Sequence, residues 1–209
     1  MTTNSIAIPE LAEIEVADMT RASFLLRSSL AAGAVFGAGA VSPFVRQALA
    51  AGGDLDIVNF ALTLEYLETA FYEGALKQTK LSSDVRKLAK QLADDEAAHV
   101  DALTAAVKGA GGTPAKKPRF GFGGAFASEA SFLKVANVLE DTGVSAYNGA
   151  GPELQSKDIL GAAGSIVQVE ARHAALIRLA RGKAPAPLAF DKPSTKAEVL
   201  KAAGGFIKA

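Results

Sequence analysis

From Asp54 onward, apolar residues recur at alternating steps of three and four, with polar residues filling the positions between them. That spacing matches the 3.6-residue turn of an α-helix and predicts four long helical segments. The first runs from Asp54 or Asp56 to Gln78. The second opens on Ser82, Ser83 and Asp84, which suit a cap and first turn, and stops in the glycine-rich stretch 109–112. The third begins near Ser128 and fades at Gly149, Ala150, Gly151 and Pro152; the fourth runs from Ser156 or Asp158 to Gly182. Each covers about 22 to 27 residues, or roughly 35 Å, the length of a bundle helix. Short links make the first two helices antiparallel, and likewise the last two. Residues 110–127, with Pro114 and Pro118, form the one long connection. Extended, it reaches about 55 Å, enough to cross the bundle so that the third helix starts parallel to the second. Thr195, Lys196, Ala197 and Glu198 form a capping box, so a short helix follows the Pro-rich stretch 184–193. The expected fold is all-α: a four-helix bundle over residues 51–181, with one crossover between helices 2 and 3, and a tail over 182–209.

The two halves of this pattern repeat each other. Leu64-Glu65 stands seven residues before Tyr72, which is followed by Glu73-Gly74-Ala75; Leu139-Glu140 stands seven before Tyr147, followed by Asn148-Gly149-Ala150. Glu96-Ala97-Ala98-His99 lies 31 residues after Glu65, and Glu170-Ala171-Arg172-His173 lies 30 after Glu140. A duplicated helical hairpin explains the shared series of Glu, Tyr and Glu-x-x-His.

These ionisable residues occupy apolar positions. On the fourth helix Glu170 and His173 continue the stripe Ile159, Ala163, Ile166, Ile177 and Ala180; on the second, Glu96 and His99 continue Val85, Leu88, Leu92, Leu103 and Ala106. Glu65 and Glu140 take the corresponding places on helices 1 and 3. Burying several unpaired carboxylates costs several kcal/mol each, so the layer needs compensation, and two divalent cations cancel four carboxylate charges. Glu and His at i and i+3 share a helical face, which lets each Glu-x-x-His offer an oxygen and a nitrogen to one metal, while Glu65 and Glu140 bridge or chelate. A His-plus-Glu set favours two iron or manganese ions, with zinc as an occupant in vitro. The competing reading is a structural bundle whose seam residues pair with one another.

Neighbouring residues are open to two readings. Glu68 lies on the stripe but its counterpart is Gly143, so it is either a fifth carboxylate or a solvated residue. Gly143 costs about 1 kcal/mol inside a helix and leaves space for an oxygen ligand. Tyr72 and Tyr147 are either core aromatics or hydroxyl donors to a carboxylate ligand. Asp94 and Asp95 read as a solvated face. The glycines of 120–124 read as a flexible crossover, with no strand-to-helix context for a phosphate loop.

Composition narrows the function classes. The chain has 209 residues, 22 Lys and Arg against 22 Asp and Glu, 49% apolar residues, two His and no Cys. Zero net charge offers no basic footprint for nucleic acid. Without Cys there is no thiolate nucleophile, disulfide or iron–sulfur ligand, so any metal ligand is a carboxylate or imidazole. Residues 1–50 read as an export segment. Ser28 to Val45 carries no charge and lies between Arg27 and Arg46, yet its many Ala and Gly make a stable membrane span poor and a weak signal core apt. Ala48-Leu49-Ala50 places cleavage before Ala51. Upstream, Thr20-Arg21-Ala22-Ser23-Phe24-Leu25 resembles the bacterial twin-arginine motif, with Ala22 where the second Arg is expected. The expected location is periplasmic, extracytoplasmic or secreted, with no membrane span in the mature chain.

The order Glu65, Glu96/His99, Glu140, Glu170/His173 resembles that of the ferritin-like superfamily of di-iron and di-manganese carboxylate bundles, over residues 54–181. The run from Asn59 to Glu68 and the tail Phe190-Asp191-Lys192-Pro193 are similar to the exported ferritin-like group that includes desiccation-related proteins. The superfamily resemblance implies dioxygen or hydrogen peroxide as the small-molecule partner and a role in oxidative or desiccation stress. A homodimer is compatible with it. The alternatives are a stress-protective interaction protein with a structural or absent metal, and iron storage, which the 182–209 tail and the exported context do not favour.

Overall fold

The computed structural model describes residues 53–208. The export segment, its cleavage site and the motif around Ala22 lie outside the described residues. Four long helices appear where the periodicity places them: α1 (Gly53–Gln78), α2 (Ser83–Gly109), α3 (Glu129–Ala150) and α4 (Lys157–Ala180). The tail adds α5 (Lys196–Ala203). Together they make an all-α bundle in which α1 packs most extensively on α2 and α3 on α4. No helix among the described residues is long and apolar enough to cross a membrane.

Local chemistry sets the ends. Ser128 Oγ accepts from Ser131 N and Ser156 Oγ from Ile159 N, each satisfying a donor that the first helical turn leaves open. Thr195 and Glu198 close the expected capping box on α5. Ser82 occupies the cap position of α2 but makes no side-chain cap bond; its backbone N–H donates to Glu129 Oε2 instead. Gly111 (φ 80°) and Gly182 (φ 68°) end α2 and α4 in the left-handed region, where a side chain would be strained. Past each glycine the chain turns back to its helix: Gly112 N donates to Val107 O and Lys183 N to Arg178 O. Buried Asp54 accepts from Gln155 N and Ser156 N at 3.0 and 2.9 Å, tying the start of α1 to the α3–α4 connection.

The crossover is a built element, which corrects the expectation of a flexible segment at 120–124. Asn59 Oδ1 accepts from Ala115 N, and Arg119–Phe120 (β1) pairs antiparallel with Ile207–Lys208 (β2). Phe122 and Phe126 then pack against Phe71, whose ring also stacks on Phe132. This aromatic burial offsets the entropy of ordering the connection.

Two apolar clusters fill the bundle. One holds Leu67, Phe71, Leu92, Phe132, Leu139 and Ile177; the other holds Val58, Leu62, Leu103, Val107, Ile159 and Ile166. On every long helix the boundary between them is polar: Glu65 and Glu68, Glu96 and His99, Glu140, and Glu170 and His173, all buried.

Candidate metal centre

The fold carries its ionisable layer between two dry clusters, so water cannot solvate these charges and neighbouring side chains must. The seven residues come from all four long helices. Six of them form two overlapping groups of four whose ligand atoms lie within 4.8 Å of one another: Glu65, Glu96, His99 and Glu170, and Glu96, Glu140, Glu170 and His173. Glu96 and Glu170 are common to both. The shared carboxylates are therefore those of the Glu-x-x-His pairs, while Glu65 and Glu140 stand at the two ends; of the roles open to Glu65 and Glu140 in the sequence, the geometry suits chelation.

Distances define the two sides. His99 Nδ1 lies 3.2 Å from Glu65 Oε2, 3.1 Å from Glu96 Oε2 and 3.1 Å from Glu170 Oε1. His173 Nδ1 lies 2.8 Å from Glu96 Oε1 and 3.6 Å from Glu140 Oε2. Glu96 thus places one oxygen beside each imidazole. The rings sit 6.2 Å apart between centroids. Glu68 is buried but belongs to neither group. A Cβ built on Gly143 would meet Glu170 Oε2 at 3.0 Å and Glu68 Oε1 at 3.3 Å, so the missing side chain of Gly143 is the room these two carboxylates use. The solvated reading of Glu68 is corrected: the apolar clusters on either side close over it.

The tyrosines cross between the halves. Tyr72 on α1 donates to Glu140 Oε1 on α3, and Tyr147 on α3 donates to Glu65 Oε1 on α1, the latter at 2.5 Å. Each hydroxyl reaches the carboxylate of the other helix rather than the one two turns away on its own. Asp95 departs from expectation. It is half-buried and its Oδ2 lies 3.1 Å from His173 Nε2, because one residue before Glu96 the helix surface turns toward α4. Asp94 does remain on the solvated face, paired with Lys90. The available signal for Asp95 was its position immediately before Glu-x-x-His.

Charge states follow from this crowding. Burial pushes the Glu68 and Glu170 carboxyls well above the usual range, and adjacent carboxylates push further: Glu170 on Glu68, Glu96 on Glu170. Burial raises Glu96 to about 7, although the neighbouring imidazoles of His173 and His99 pull the other way. For Glu65, burial raises the carboxyl, but the hydrogen bond and charge of His99 together with Glu96 and Tyr147 bring it below the usual value. Burial opposes a charged imidazole, yet the surrounding carboxylates hold His99 well above its ordinary range. His173 is pushed up to about 12 against the same burial, by Asp95 first and then Glu140 and Glu96. Burial raises both tyrosine hydroxyls well above 10.0, reinforced by the carboxylates they serve.

Even so the layer is not self-sufficient. Glu96 Oε1, Glu140 Oε2, both oxygens of Glu170 and His173 Nδ1 are buried with no hydrogen-bond partner. Orphaned buried acceptors of this kind cost about 1–3 kcal/mol each, more when charged. Oxygen and imidazole donors converging within a few ångströms are what a divalent transition metal requires, so the residues present fit such an ion. A ferritin-like domain family matches residues 53–183. No curated protein matches the chain.

Proposed function

The chain belongs to the ferritin-like domain family, and from that premise we propose that its buried layer holds two iron or manganese ions and serves reaction with dioxygen or hydrogen peroxide. One ion takes Glu65, Glu96, His99 and Glu170; the other takes Glu96, Glu140, Glu170 and His173. The observation that carries this reading is the set of buried carboxylate and imidazole atoms that make no hydrogen bond within the protein. Bound there, the ions supply a redox couple and Lewis acidity toward the oxidant. The chain's own residues do the rest. Glu65, Glu96, Glu140 and Glu170 neutralise the ions in a low-dielectric layer, and the apolar clusters on either side exclude bulk water. Tyr72 and Tyr147 hold Glu140 and Glu65 in orientation. Glu68 keeps a carboxyl beside Glu170, available as a proton store or a further oxygen ligand. Export of the chain through residues 1–50 and a part in oxidative or desiccation stress belong to the same proposal. Zinc is expected to compete in vitro.

Two measurements test the reading. Protein purified from its own host is expected to carry close to two metals per chain, and Fe(II) or Mn(II) to raise its melting temperature, because ligands converge only in the folded state. Fewer than about half a metal per chain after reconstitution at neutral pH would favour a self-paired structural layer. Oxygen uptake or peroxide loss is expected to scale with metal loading; a fully loaded protein inert to both oxidants would remove the redox proposal and leave a metal-stabilised scaffold.

A further inference from the structure

The repeat suggests two equivalent half-sites, but their hydrogen bonding is unequal. Of the orphaned atoms, Glu140 Oε2 and His173 Nδ1 belong only to the group around His173, Glu96 Oε1 and both Glu170 oxygens lie on residues common to both groups, and none belongs to the group around His99 alone. On the other side the two residues that belong to it alone, Glu65 and His99, are met internally. His99 Nδ1 hydrogen-bonds with Glu65 Oε2 and Glu96 Oε2, and Glu65 Oε1 takes the Tyr147 hydroxyl.

The outward ring nitrogens repeat the inequality. An imidazole offers the Nδ1 lone pair to a cation only when the ring proton sits on Nε2. His173 Nε2 faces Asp95 Oδ2 at 3.1 Å, and a carboxylate only accepts, so that contact fixes both the tautomer and the ring orientation. His99 Nε2 has no hydrogen-bond partner among the described residues, and its side chain is 10% exposed against 2% for His173. The residue that mirrors Asp95, one before Glu170, is Val169, which has no acceptor.

From these two asymmetries we infer that the centre loads in order: the Glu140–His173 position binds its cation first, with Asp95 as the positioning residue, and the Glu65–His99 position is the weaker, exchangeable one. The inference rests on the two-metal reading above. Filling the first position relieves the orphaned Glu140 Oε2 and His173 Nδ1 and parts only the close approach of His173 Nδ1 to Glu96 Oε1, whereas filling the second breaks the two hydrogen bonds that His99 Nδ1 makes with Glu65 and Glu96.

The test is a titration of the full, metal-stripped chain with Mn(II), followed by calorimetry and electron paramagnetic resonance. Two binding steps are expected, the first at least about tenfold tighter. At one equivalent the spectrum should be the six-line signal of isolated Mn(II), not that of coupled pairs. His99→Ala should keep the tight step and lose the weak one; His173→Ala should lose the tight one. Asp95→Ala should weaken the first step by about 10–100-fold, and Asp95→Asn, whose amide oxygen still accepts from Nε2, should recover most of it. Val169→Asp, the mirror substitution, should tighten the second step. A single step giving coupled pairs from the first addition, equal metal loss in the two histidine variants, or an Asp95→Ala chain that changes only in melting temperature would overturn the ordering. Should Asp95→Ala fail to fold, the wild-type spectrum at one equivalent decides by itself. A chain that binds no Mn(II) removes the two-metal reading, while two ions bound without order remove only this inference.

Discussion

Raising the pH from about 5 to 8 should destabilise the metal-free protein, the reverse of ordinary acid unfolding. The sign comes from the direction of each shift. A carboxyl raised in the folded state binds its proton more tightly there than in the unfolded chain, so stability is lost as pH climbs from the unfolded value. Glu96 moves from 4.5 to about 7, which at 1.36 kcal/mol per unit amounts to about 3 kcal/mol lost across that window. Glu68 and Glu170, both raised well above the usual carboxyl range by burial and by adjacent carboxylates, act in the same direction. The raised imidazoles do too: their contribution is complete below about 6.5 and drains away as pH rises toward their folded values. Glu65 and Asp95 work oppositely, stabilising above their unfolded values and losing that as pH falls. For a chain of this size about 3 kcal/mol corresponds to a fall in Tm of roughly 6–12 °C. Metal binding requires deprotonated ligands, so the loaded protein should gain stability over the same window and the two curves should diverge. Differential scanning calorimetry of chelator-treated and Mn(II)-loaded protein checks this, with Glu96→Gln as the control whose metal-free slope should flatten. A metal-free Tm that rises with pH, or runs parallel to the loaded curve, would refute the charge states assigned to the layer.

Three further outcomes are expected. Tyr72→Phe and Tyr147→Phe each strip a donor from a buried carboxylate, so each should lower metal-free stability by about 1–3 kcal/mol in urea unfolding and weaken metal binding about 10–100-fold. Gly143→Ala gains about 1 kcal/mol of helix propensity but sets a Cβ 3.0 Å from Glu170 Oε2; metal content should fall further than the metal-free melting temperature, and Glu68→Ala should be milder than Glu65→Ala or Glu140→Ala because Glu68 is in neither group of four. N-terminal sequencing of the exported protein should begin at Ala51, and a chain starting there should fold and bind metal as the full one does; a native N-terminus at Met1 would overturn the export proposal.

Helix positions were legible because each long segment buries one stripe, and their ends because Ser, Gly and Pro act locally. The layer was legible for a related reason: Glu96, His99, Glu170 and His173 stand in an apolar stripe where only a compensated charge survives. What could not be read depends on the angle between helices. Whether Glu65 or Glu96 lies between the imidazoles is decided by side-chain reach across the bundle axis, and so is the crossing of Tyr72 to Glu140. Asp95 illustrates the limit. Its position on α2 alone is that of a solvated residue, and only α4 lying beside it converts it into a partner for His173. The crossover was misread for the same reason: glycines suggest freedom, while the Phe122 and Phe126 rings acquire their meaning from Phe71 on another helix.

The polar layer lies at the joint between two hairpins. The helix backbones approach one another most extensively within α1–α2 and α3–α4 and less between α1 and α3 or α2 and α4, although both apolar clusters draw on the two hairpins. Several contacts that settle the layer cross that joint: Tyr72 to Glu140, Tyr147 to Glu65, Asp95 to His173, and His99 to Glu170. Both groups of four likewise draw residues from the two hairpins. Carboxylate repulsion also acts across that joint, between Glu68 and Glu170 and between Glu170 and Glu96. On the proposed reading, a cation held by Glu96 and Glu170 would join α2 to α4 directly, and its binding energy would go into docking the hairpins. The crossover, pinned through Phe122, Phe126 and the β1–β2 pair, limits how far they separate in its absence. The two apolar clusters thus hold the bundle together on either side of a polar layer that keeps orphaned atoms, and on the proposed reading a cation would supply their missing partner.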